Sequence, residues 1–203
     1  MQVADNSTPP EIRRRILWIQ TFTVVWMTAE AGVALASAWK ARSPALLGFG
    51  GDSLIELLSA GVVFWRFRDT RVDEHTERRT AQIGGVLLFA LAFFVVIASG
   101  AALLGYSEAR PSLVGIGLLV LAGIIMPWLA AEKRHLAAKT GSGALRADAA
   151  ESALCGYMAW IALVGLVVNA VWGNRWTDPL TALCLTPLIV REGWEAMHGE
   201  ISC

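Results

Sequence analysis

The chain has 203 residues, 55% of them hydrophobic and 17% charged, with a positive mean hydropathy. An ordinary soluble domain carries about a quarter charged residues and fewer apolar ones, so the composition places this chain in a membrane. Seventeen basic residues balance seventeen acidic ones, which excludes the basic footprint of a nucleic-acid binder.

In chain order, residues 1–15 (MQVADNSTPPEIRRR) form a polar segment. The apolar run that follows, Ile16 to Ala38, is longer than the core of a cleavable signal and lacks a small-residue cleavage site before Lys40, so it reads as a retained helix. Further runs extend from Ala45 to Trp65, Thr80 to Leu104, Leu113 to Ala131, Ala144 to Trp172 and Pro179 to Met197. Each is close to the roughly 20 residues that cross a bilayer core. The fifth is long, and its first turns, with Arg146 and Asp148, are expected to project beyond the hydrocarbon or to face other protein. Connections are short except for RFRDTRVDEHTERR between the second and third runs. The expected fold is an all-α membrane protein, a six-transmembrane-helix bundle over residues 16–203 with no separate C-terminal cytoplasmic domain. Asp178 before Pro179 is expected to be the N-cap of the sixth helix. Pro127 and Pro187 are expected to kink the fourth and sixth helices.

Basic residues give the orientation. With the N-terminus inside, thirteen of the seventeen, Lys133 among them, fall at cytoplasmic ends, whereas Lys40, Arg42, Arg110 and Arg175 fall outside. Both termini are therefore expected in the cytoplasm. Trp39, Trp65, Trp172 and Trp176, near predicted helix ends, suit an interfacial aromatic belt. Cys155, Cys184 and Cys203 have no disulfide-framework spacing.

Asp52 and Glu56 interrupt an otherwise apolar helix, and an ionisable side chain at a membrane centre costs about 2.5 to 3.5 kcal/mol on insertion scales. Four residues apart, they lie on one helix face, one turn from each other. The fifth helix repeats the device: Asp148, Glu151 and Cys155 share a stripe, with Glu151 and Cys155 one turn apart. Like charges in a low dielectric repel unless a cation lies between them. The arrangement that best offsets the burial cost is one divalent metal held by Asp52, Glu56, Glu151 and Cys155, the four ligands a tetrahedral transition metal prefers. A buried polar network serving helix packing is the alternative, and Cys155 alone reads as a small core residue. Asp148 is either an accessory ligand nearer the cytoplasm or a partner of Arg146. Glu30, an intramembrane acid in the first helix, suits a supporting or proton-path role better than direct ligation. His75 with Asp69 and Asp73 offers a weaker surface alternative.

The phrases SPALLGFGGDSLIELLSA, ALRADAAESALCGY and WTDPLTALCLTPLIVREGWEAM together resemble the transmembrane domain of the cation diffusion facilitator, or cation efflux, family over nearly the whole chain. The resemblance implies a six-helix bundle in which a DxxxD-like pair on the second helix meets an HxxxD pair on the fifth to bind zinc or a related ion. It also implies export coupled to inward proton movement. Asp52 and Glu56 match the first pair; Glu151 stands where the family has His, and Cys155 where it has Asp. The thiol shifts the expected cargo towards zinc, cadmium or cobalt. Losing the histidine removes the ligand whose unperturbed pKa is about 6.5. Many relatives carry a cytoplasmic metal-binding domain after the sixth helix; a homodimer is among the expected partners.

No GxxxxGK[ST], HExxH or GxSxG motif is present, so ATP-driven or hydrolytic chemistry has no visible machinery. The sequence therefore points to a non-enzymatic secondary transporter. Its expected partners are a divalent metal cation, protons and membrane lipid, with no tightly bound cofactor. Its expected location is a bacterial-type plasma (inner) membrane. The two other readings are a non-transporting, metal-responsive membrane scaffold and a proton-coupled exporter of organic cations.

Overall fold

The computed structural model describes residues 9–68, 74–174 and 176–198. These residues are almost entirely helical: α1 (Pro10–Ala41), α2 (Pro44–Arg68), α3 (Glu74–Leu103), α4 (Leu113–Thr140), α5 (Gly143–Trp172) and α6 (Thr177–His198). Four segments are long and apolar enough to cross a membrane: Pro10–Ala41, Gln82–Leu103, Leu113–Thr140 and Leu145–Trp172. The other two helices carry acids along their length, Asp52 and Glu56 on α2, Asp178, Glu192 and Glu195 on α6.

The helices overrun the apolar runs. The fourth run ends at Ala131, where charge begins, yet α4 continues as a helix to Thr140. Two residues just beyond Ala131 find partners on neighbouring helices: Glu132 pairs with Arg15 of α1 at 2.8 Å at the surface, and Lys133 turns inward to Asp148 of α5. Helix ends follow local chemistry. Arg42 closes α1 in the left-handed conformation (φ 50°), its N–H returning to the Ala38 carbonyl, and Gly141 and Gly173 close α4 and α5 in the same way. Ser112 and Ser142 cap the starts of α4 and α5 by accepting from Gly115 and Leu145 N–H groups.

The most extensive pairings are α4 with α5, α1 with α2 and α3 with α6, and α2 additionally meets α3, α5 and α6. Contacts at the two ends fix the up-and-down course. Arg110 N–H donates to the Ala41 carbonyl and Asn169 Nδ2 to the Ala109 carbonyl, gathering the α1–α2, α3–α4 and α5–α6 connections at one end. The Arg15–Glu132 pair gathers the start of α1 and the far part of α4 at the other, called here the N-terminal end. Close approach of α3 and α6 depends on glycine: a Cβ on Gly85 would stand 2.7 Å from the Gly193 carbonyl oxygen.

The interior is packed with Phe49, Met27, Leu119, Met126, Met158 and Leu166, all fully buried. The perimeter is also apolar: Val25, Phe93, Phe94, Ile97, Ile124, Val164 and Val171 are exposed, an outer face suited to lipid. Trp39, Trp172 and Trp176 are exposed at the end away from the N-terminus. The Trp65 side chain lies outside the described residues, as do Asp69, Asp73 and the side chain of His75.

Asp178 departs from its expected role. It lies inside the first turn of α6, and its carboxylate serves α2, accepting from Ala45 N–H at 3.2 Å and from the Ser43 hydroxyl. Ser43 in turn accepts from Leu46 N–H at 3.1 Å as the N-cap of α2. A buried helix start must satisfy its free N–H groups from somewhere, and α6 supplies the acceptor.

Candidate metal centre

α2 runs through the middle of the bundle, and its acidic face turns towards α5. One ligand atom each from Asp52, Glu56 and Cys155 lies within 4.8 Å of the other two, and all three residues are buried. A metal with bonds of about 2.0 to 2.3 Å holds tetrahedral ligands roughly 3.3 to 3.8 Å apart, so small side-chain shifts close these three around one ion. Of the four residues expected to hold the ion, the structure brings these three together.

Glu151 stands one turn before Cys155 on α5. It is near enough to Glu56 and to Glu192 for electrostatic repulsion, but it is not one of the three residues whose atoms converge. Among the described residues, Glu56 Oε2 is a buried acceptor without a hydrogen-bond partner. A buried carboxylate oxygen left in that state has a cation as its natural complement.

Glu30 surrounds the sulfur rather than joining the cluster. Fully buried on α1, it accepts through Oε1 from Ser53 at 2.8 Å and from the Cys155 thiol at 3.5 Å, and through Oε2 from the Trp26 indole. Ser53 also lies 4.0 Å from Cys155 Sγ. The thiol is thereby oriented from α1 and α2 together.

Glu192 of α6 is a site residue that sequence reasoning passes over. Its carboxyl group hydrogen-bonds that of Asp52, and its Oε2 is buried without a hydrogen-bond partner. The signal available in the sequence was weak, because Arg191, Glu192 and Glu195 read together as the charged end of a membrane helix.

Asp148 does not pair with Arg146, which is exposed. Its partner is Lys133 of α4: Nζ lies 2.9 Å from Asp148 Oδ1, and both side chains have 0% exposure. Gln20 of α1 donates to Asp148 Oδ2 at 2.6 Å. Lys133 also donates to Ser152 Oγ at 2.8 Å. The Ser152 hydroxyl stands 3.0 Å from both Glu56 Oε1 and the Asp148 carbonyl, its one proton shared between them. Lys133, counted in the sequence only among the basic residues at cytoplasmic ends, thus has its side chain inside the bundle. Acceptors on two neighbouring residues of α5 draw its ammonium inward, where a long stem can deliver it.

Three converging buried groups, two carboxylates and one thiol, form a donor set that can hold a divalent transition metal. Consistent with that geometry, the family model described as the cation efflux transmembrane domain matches residues 21–198, a span that includes every residue of the cluster.

Proposed function

Because the chain belongs to the cation efflux family, whose members are membrane cation transporters and not enzymes, we propose that it exports divalent transition-metal cations, zinc foremost, with cadmium and cobalt as related cargo. The observation that carries this reading is the convergence of Asp52, Glu56 and Cys155. Glu151, one turn along α5, is the fourth ligand in this proposal, with water as its alternative. The thiol binds as thiolate, so loading the ion releases a proton, and reprotonation loosens the ion on the far side. Proton antiport in this chain runs through thiol and carboxylates instead of a histidine.

All six helices cross the membrane in this reading, with both termini in the cytoplasm and the metal centre between α2 and α5. Asp52, Glu56 and Cys155 are buried, so passage in this reading requires alternating access, a rocking of helices that opens one end at a time.

The test is flux in reconstituted vesicles, metal by metal, with Asp52→Ala and Glu56→Ala variants. Transport should be abolished by either substitution with abundance and helicity near normal, since removing a membrane carboxylate relieves an insertion cost. Retained metal flux in both would reject the centre. Flux of organic cations without metal flux would favour that other transporter reading, and metal binding without any flux would favour the scaffold.

A further inference from the structure

Holding an ion at Asp52, Glu56 and Cys155 does not require the Lys133–Asp148 pair, yet a buried ion pair is often no more stable than apolar residues of equal volume. The pair lies between the N-terminal end of the bundle and the metal centre. Asp148 precedes Cys155 by seven residues on the same stripe of α5, roughly 10 Å nearer the N-terminal end of the bundle. The ammonium donates to Asp148 Oδ1 at 2.9 Å and to Ser152 Oγ at 2.8 Å, and Gln20 donates to the other Asp148 oxygen at 2.6 Å. Gln20 is fully buried, and its Oε1 has no hydrogen-bond partner among the described residues. An orphaned carbonyl oxygen beside a carboxylate and a hydroxyl makes a set of hard donors suited to a cation with more coordination positions than an ammonium has. These groups come from α1, α4 and α5, and Ser152 passes the connection on to Glu56 of α2.

We infer that the Lys133 ammonium is a tethered plug: it fills a transit position for a divalent cation, formed by Asp148, Ser152 and Gln20, between the N-terminal end of the bundle and the metal centre. This inference rests on the metal centre proposed above. Withdrawal of the lysine opens that path and frees the same oxygens for the arriving ion. A flexible four-carbon stem with a compact charge suits such a role, where the planar arginine fork would bind too rigidly. Because the transit position offers oxygen alone, it takes divalent ions with little discrimination. Selection for softer metals is left to the centre that contains the thiol.

Cys155 itself reports on the path. With Cys184→Ser and Cys203→Ser it becomes the single thiol of the chain, which has three cysteines. In vesicles, the rate of its alkylation by a water-soluble, membrane-impermeant maleimide is measured from the face that carries the N-terminus, with and without zinc chloride. Lys133→Met combined with Asp148→Asn removes both charges and so avoids stranding a buried carboxylate. It should speed alkylation about tenfold, within the range typical of couplings between sites, and zinc should still protect. Ser152→Ala, which keeps the ion pair but removes one contact of the ammonium, should give an intermediate rate. Lys133→Met alone leaves Asp148 without its cation, and calorimetry should then find a second zinc ion bound per chain. Unchanged alkylation in both the double variant and Ser152→Ala would overturn the plug, and a folded Lys133→Met that binds no second zinc would overturn the transit position. Loss of zinc protection in the parent single-thiol protein would instead overturn the metal centre.

Discussion

The Cys155 thiol donates to Glu30 Oε1 at 3.5 Å, so the sulfur of α5 is aimed by a carboxylate of α1. The same oxygen accepts from Ser53, and the other accepts from Trp26, so three donors converge on one buried acid. Glu30→Gln keeps the shape but turns an NH2 group towards donors, leaving at least one unpaired. Cys155 must lose its proton to bind the ion, and Glu30 Oε1 is the acceptor beside it, so in Glu30→Gln zinc affinity measured by calorimetry should fall about 10- to 100-fold, the usual effect of removing a group that supports a ligand. An unchanged affinity would show that the sulfur is held well enough without it.

Sulfur should decide among metals. Thiolate favours soft ions, and Cys155 is the one sulfur ligand in the converging group. Cys155→Asp should retain zinc flux while lowering the preference for cadmium over zinc, and Cys155→Ala should weaken transport of both. Initial rates over a range of each metal give the ratio. If both variants keep the ratio and the affinities of the parent, Cys155 serves packing, and the centre completes its ligands with water.

At the opposite end of the bundle, Asp178 of α6 caps α2 through Ala45 and Ser43. Asp178→Ala should cost about 0.5 to 2 kcal/mol, as loss of a helix cap does, and lower the thermal midpoint in detergent by a few degrees. The cap is remote from the metal centre, so zinc affinity should not change. A large loss of affinity with no loss of stability would mean that Asp178 belongs to the transport path.

Most of the bundle was legible because a membrane helix announces itself locally, by a run of about 20 apolar residues, and because i, i+4 spacing fixes a helix face. That is why Asp52 and Glu56 could be set on one face of α2, and Glu151 and Cys155 on one face of α5, from spacing alone. The features that escaped depend on which helices become neighbours. Lys133 sits in AEKRH, a sequence that looks like a charged helix end, and only the α4–α5 packing offers it Asp148 and Ser152. Asp178 has the local context of an N-cap for its own helix, yet its carboxylate accepts from the start of α2. Gln20 carries no charge and no motif, so nothing in the sequence marks it as a partner of Asp148.

Glu192 belongs to the same class, since its part in the centre comes only from the packing of α6 beside α2. A hydrogen bond between two carboxyl groups needs one proton between them, so Glu192 can hold Asp52 in place as a donor without binding the ion. Glutamine has a permanent N–H donor of nearly the same shape, whereas alanine has none. Glu192→Gln should therefore bind zinc close to the parent affinity, while Glu192→Ala should bind about tenfold more weakly, because Asp52 loses the group that orients it. Calorimetry on both variants, with circular dichroism to confirm equal helicity, makes the comparison. Equal weakening in the two would show that the Glu192 carboxylate touches the metal itself, and no weakening in either would show that α2 alone positions Asp52.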